Sequence, residues 1–245
     1  MTASLRAELL KLRTTRTFVT FVAVAIGTSV LLAALVGALA DEKTLDVLTD
    51  VYASDTSSFF ILVLAIVGIT GEWRHHTITG SLLVAPDRAR FLGAKTIAYA
   101  GAGVALSLGV SVAVAIVATI TLAARSIGLP GVDDVLAQTG RNLYVAGLLG
   151  ALGVVVGALV RNQIAAVVGV LVIVFIVEPL ALGLVPEVGR WSPFGALPVA
   201  AAGLRDSGVG GDDLPGVLPA TLALAAWIGG LLVIGVALLR RRDVE

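Results

Sequence analysis

The residues best suited to chemistry gather between Gly71 and Lys95, in GEWRHHTITGSLLVAPDRARFLGAK. This stretch holds both histidines, His75 and His76, with Glu72 one turn before them, Asp87 farther on, and the cations Arg74, Arg88, Arg90 and Lys95. A metal site would draw on Glu72, His75 and His76, but adjacent histidines on a helix point about 100° apart and no third strong ligand lies close by. A Ser-His-Asp hydrolase fares no better, because no nucleophile motif accompanies the histidines. What the spacing does support is recognition. Ile78, Leu82 and Ala85 recur at i, i+4 and i+7 and would form an apolar row on a short helix running from Glu72 to Val84. Glu72 would then favour the first turn as a carboxylate at a helix N-terminus. Pro86 breaks the run and Asp87 can cap the helix that follows. Such a segment offers a small ridge to a soluble partner. Gly80 sits in its middle at a cost of about 1 kcal/mol relative to Ala.

Two further features lie inside apolar runs. Glu178 and Pro179 interrupt the fifth apolar run, and Glu178 is a carboxylate where charge is expensive, so a role is expected of it. Either it pairs with Arg141 or Arg190, or it carries protons in an ion-coupled transporter. Gly153 and Gly157 form a G-x-x-x-G that would let two helices pack closely. No G-x-x-x-x-G-K-[ST] occurs, so the chain has no phosphate cradle of that kind and is not expected to be an enzyme. Cysteine is absent, which excludes thiolate metal sites and cysteine nucleophiles, and the zero net charge leaves no footprint for nucleic acid.

The elements that must position these residues are set by hydropathy. Of 245 residues 58% are hydrophobic and only 14% charged, and the mean hydropathy is +1.01. Uncharged runs reach the roughly 20 residues needed to cross a hydrocarbon core. The chain reads as an all-α, multi-pass membrane protein forming a single domain, residues 1–245, with spans at 18–40, 52–71, 96–124, 142–160, 163–185 and 218–239. Residues 1–17 carry Arg6, Lys11, Arg13 and Arg16 against one acid, Glu8. Leu5, Leu9 and Leu12 would line one stripe of an interfacial amphipathic helix whose cations lie near lipid phosphates. The first apolar run ends in Ala38-Leu39-Ala40 but exceeds the h-region of a signal peptide, about 7–15 residues, and is read as retained.

Six spans put both termini on one side. With that side cytoplasmic, only Lys43, Arg125, Arg141, Arg190 and Arg205 of the 17 Lys and Arg residues fall outside, the bias that the positive-inside rule describes. Residues 72–95 are then a cytoplasmic segment. Residues 186–217 form an external one, rich in proline and able to carry short half-inserted helices.

Gly71, Glu72, Arg74, Thr77, Leu82, Leu83, Pro86, Arg88, Arg90 and Lys95 stand in a pattern that resembles the cytoplasmic connection of permease subunits in type-2 ABC exporters, the compact six-span bacterial kind. AELLKLRTTRTF, from Ala7 to Phe18, is similar to the basic interfacial helix with which those permeases begin. The resemblance implies a coupling helix that docks in a cleft of a separate ABC ATPase subunit. Glu72, Arg74 and Thr77 would hold it, Ile78 and Leu82 would fill the cleft, and Pro86 and Arg88 would close the segment. It further implies a second permease subunit, identical or homologous, and a bacterial cytoplasmic membrane. ATP and Mg would sit on the partner, with no cofactor or metal on this chain. The cargo would be small and amphipathic, drug-like or lipid-like, moved outward. Two rivals remain: an ion-coupled secondary transporter built on Glu178, and a non-transporting membrane scaffold.

Overall fold

A computed structural model describes residues 2–39, 46–52, 54–75, 77, 87–160, 162–204 and 214–241. These residues contain helices and connecting turns and no β-strand. The helices are α1 (Thr2–Thr14), α2 (Arg16–Leu39), α3 (Ser57–Arg74), α4 (Arg88–Ala124), α5 (Val132–Leu159), α6 (Gln163–Leu184), α7 (Pro186–Gly189), α8 (Ala196–Ala201) and α9 (Val217–Arg241). A single π-helical turn, Val47–Tyr52, precedes α3. Six helices are long and apolar enough to cross a membrane: α2, α3 with the turn before it, α4, α5, α6 and α9.

The bundle is organised around α5, which packs most extensively against α3 and α4 and also touches α8 and α9. Its most apolar window is 72% buried by the rest of the chain, against 17% for α2, α6 and α9, so α5 is the central post and those three form the rim. Small residues permit the close approach. A Cβ at Gly153 would collide with the Leu62 carbonyl of α3, one at Gly157 with Ile69 of the same helix, and one at Gly150 with the Tyr99 carbonyl of α4. Both glycines of G-x-x-x-G therefore lie on the α5 face that meets α3.

Three helix boundaries differ from the hydropathy reading, each for a polar reason. The second span begins at Ser57 rather than residue 52, and ends at Arg74, so Glu72 lies in its last turn. Asp55, two residues before Ser57, accepts hydrogen bonds from Ser107 Oγ (2.7 Å) and Ser111 Oγ (3.0 Å) of α4. The third span begins at Arg88. Asp87 caps it by accepting from Ala89 N (3.0 Å) and Arg90 N (3.4 Å), as its position after Pro86 predicts, and the helix runs unbroken into the apolar stretch. Residues 88–95 are thus the first turns of α4 and not part of the connection. The fourth span starts ten residues early, at Val132, with Asp133 and Asp134 in its first turn where the helix dipole favours them. Gln138 reads as a loop residue and Asn142 as the first of the span, yet both are buried. Gln138 Nε2 donates to Asn142 Oδ1 (3.0 Å) and to the Ala202 carbonyl (3.3 Å).

The fifth span is not interrupted at Glu178-Pro179. Proline has no N–H and its ring collides with the carbonyl four residues back. The helix widens into a π-turn, Ile173–Val177, immediately before it, and the Glu178 N–H donates to the Ile173 carbonyl. One wide turn absorbs the defect and α6 continues to Leu184.

Candidate functional site

The densest charged constellation lies where α1, the last turn of α3 and the first turns of α4 meet. Lys95 is 1% exposed, and its Nζ donates to Glu8 Oε2 (2.6 Å) and Glu72 Oε1 (2.9 Å). Lys11 Nζ donates to the same two carboxylates, at 3.1 Å to Glu8 Oε1 and 2.9 Å to Glu72 Oε1. Two acids and two bases from three helices therefore form one neutral cluster. Lys95 is two turns inside α4, with the Phe91 ring 5.4 Å from its ammonium. Removing an ammonium from water costs several kcal/mol unless its donors are met, and two charge-assisted hydrogen bonds meet most of that cost.

This arrangement alters the expected docking of α1. Leu5, Glu8 and Leu12 face the bundle, while Leu9 is 41% exposed and Leu10 63%. Of the predicted stripe Leu5-Leu9-Leu12, Leu5 and Leu12 lie on the inward face but Glu8 stands there in place of Leu9, because a buried Lys95 demands a counter-charge and Glu8 supplies it. Lys11 is not wholly free for lipid phosphates, since two of its three donors go to carboxylates. Burial by itself would raise the Glu8 pKa, but Lys95 and then Lys11 outweigh it and hold the carboxyl below its ordinary value. For Lys11, desolvation would lower the pKa, and Glu72 with Glu8 together raise it.

Glu72 does not start a helix. It ends one, at the terminus where the dipole disfavours a carboxylate, and two lysines compensate. Its Oε2 is sealed from solvent and has no hydrogen-bond partner among the described residues. The chain then leaves α3 through His75 N–H to Gly71 O (2.9 Å) and Thr77 N–H to Glu72 O (3.0 Å). Arg74 is exposed and, among the described residues, reaches only Gln163 Oε1, at 3.4 Å. Arg88 opens α4, half-buried. His76, Ile78, Leu82 and Pro86 lie outside the described residues. Glu72 turns inward to the lysines while His75 is exposed, so these two do not converge on a metal. Among the described residues no three His, Asp or Glu are grouped to hold one.

Beside the cluster opens a cavity of about 920 Å³. The Glu8, Lys11, Glu72 and Lys95 side chains contribute its charged wall, Phe18, Leu64, Val67, Phe91 and Tyr99 an apolar one, and Arg74, His75 and Gln163 its rim.

Glu178 lies elsewhere, in α6. Its carboxylate accepts from the Ser192 hydroxyl and from Phe194 N–H (3.1 Å). The expected partners are replaced: neither Arg141 nor Arg190 forms an ion pair with it, and Arg190 packs over the Trp191 ring instead (5.9 Å). Glu178 anchors the turn at 192–195 to α6, and a Cβ at Gly195 would strike its Oε2. Gly153 and Gly157 lie away from both charged sites, at the α3–α5 contact.

Sequence reasoning gave Lys95 no role beyond ending a basic run, and passed over Glu8 and Lys11 as parts of a site. Two signals pointed to them: Glu8 is the one acid before the first span, and Lys95 is the last charge before a run to Ala124 that has none.

No protein-family model matches the chain, and no curated protein is significantly similar to it. Function is therefore read from this geometry.

Proposed function

We propose that this chain is the membrane-spanning permease subunit of an ATP-driven exporter. It lacks its own nucleotide site and works with a second permease subunit and a separate ATPase. The observation that carries the reading is the four-charge cluster. It ties α1 to both stems of the 76–86 connection, since Glu72 lies just before that connection and Lys95 just after it. A load applied to the connection is then felt by α1, α3 and α4 as one body. On this reading the Lys95 end of the bundle faces the cytoplasm, and Ile78 and Leu82 enter a cleft on the ATPase. ATP binding closes the ATPases and shifts the permease between inward and outward states, through the difference in partner affinity for each. The cargo is a small amphipathic molecule, drug-like or lipid-like.

Leu82→Asp tests this reading. A charge on the docking ridge should abolish the stimulation of the partner's ATP hydrolysis by the permease, with the permease still present in the membrane at wild-type level. Unchanged stimulation in Leu82→Asp would remove the coupling role of the connection.

A further inference from the structure

The cavity beside the charge cluster has a charge balance of its own. Glu8 and Glu72 are matched by Lys11 and Lys95, so those four residues cancel. Arg74 on the rim is the remainder: among the described residues it faces no carboxylate, only the long contact to Gln163. An ammonium has three donors. Lys95 is fully enclosed, but Lys11 spends two donors on carboxylates, keeps one, and has a side chain 51% exposed. The unmet capacity is thus cationic donors, Arg74 with a share of Lys11. No acceptor offsets it from Glu72 Oε2, which is sealed inside the protein.

Size and lining decide what kind of anion fits. At about 920 Å³ the cavity is near the top of the range for small-molecule sites, about 300–1,000 Å³. Filled with water at about 30 Å³ each it would hold roughly thirty molecules, some of them against Phe18 and Val67. A free inorganic anion would leave that apolar wall wet. An acyl chain would cover it.

We propose that the cavity is a binding site for one anionic phospholipid, its phosphodiester held by Arg74 and Lys11 and an acyl chain lying along Phe18 and Val67. A phosphodiester carries the single negative charge that matches the single unpaired cation. A zwitterionic headgroup would bring an ammonium toward Arg74 and Lys11, so phosphatidylcholine is discriminated against. This site requires no ATPase and stands apart from the exporter reading.

The test uses the full chain in nanodiscs of phosphatidylcholine, with Trp191→Phe and Trp227→Phe leaving Trp73, the neighbour of both Glu72 and Arg74, as the only tryptophan. Phosphatidylglycerol brominated on its acyl chains is titrated in, and brominated phosphatidylcholine is titrated separately. Trp73 should be quenched at about tenfold lower mole fraction by the anionic lipid, the factor that about 1.4 kcal/mol of charge-assisted contact gives. Arg74→Gln should remove the preference, Arg74→Lys should keep most of it, and Arg13→Gln on the outer face of α1 should leave it intact. Equal quenching by the two lipids would overturn the site. So would a preference that survives Arg74→Gln, or one that inorganic phosphate alone abolishes. Native mass spectrometry of the unsubstituted chain, which should retain one phosphatidylglycerol, keeps the proposal testable if the tryptophan variants do not fold.

Discussion

Lys95 is the residue on which the junction of α1, α3 and α4 turns. With Lys95→Met, Glu8 and Glu72 would face each other with only the half-exposed Lys11 between them. Breaking a buried pair by removing one partner costs about 3–5 kcal/mol, so this variant should unfold at markedly lower temperature in detergent. Replacing the whole buried set, Glu8→Gln with Glu72→Gln and Lys95→Met, should recover most of that loss, since the one charge left, on Lys11, is half-exposed and met by water. A triple variant no more stable than Lys95→Met would contradict the cluster account. The same residues set a pH window for α1. Glu8 is held below its ordinary 4.5, so its contribution is present above that value and is lost as pH falls through the depressed one. Lys11 is held above 10.5, so its contribution is present below that value and is lost as pH rises through the raised one. Protection of α1 from protease should therefore be flat between about 5 and 10 and fall beyond both limits. Loss of protection centred near neutrality would count against the cluster as its fastening.

At the scale of elements, the six apolar helices were legible because long uncharged runs have few other uses. Their ends were not. Glu72, Lys95 and Gln138 look like loop residues, and each is inside because of a partner remote in the chain. Glu8 is 87 positions from Lys95, and the Ala202 carbonyl is 64 from Gln138. Hydropathy has no means of seeing such a partner. Local chemistry was legible where cause and effect are neighbours: Asp87 after Pro86 capped its helix as expected. The break expected at Pro179 failed for an equally local reason, because one π-turn can absorb a proline. The close α3–α5 contact gives a sharp prediction. Gly153→Val would drive a side chain into the Leu62 carbonyl and Ala65, and overpacking of this kind costs about 1–3 kcal/mol or more. Thermal melting in detergent should show that loss. Gly229→Val, with open space around its Cα on the rim helix α9, should melt like the wild type. Equal effects at both positions would argue against close packing at α5. Glu178→Leu should loosen the 192–195 turn by about 1–3 kcal/mol, because the Phe194 amide and Ser192 hydroxyl lose their acceptor. Hydrogen exchange at Phe194 would report it.

For the whole molecule, the rim helices α2, α6 and α9 present broad apolar faces, as helices that meet lipid do. The function rests on a more specific juxtaposition, an N-terminal helix pinned by charge to both stems of one connection. That pinning makes sense if a force arrives through the connection from a soluble motor. The most direct measurement is gentle purification of the intact chain from its native membranes, with the stoichiometry of any co-purifying P-loop ATPase. The account predicts such an ATPase near one to one with this chain, lost selectively in Leu82→Asp. A chain that purifies without an ATPase and still moves cargo under an ion gradient would contradict it.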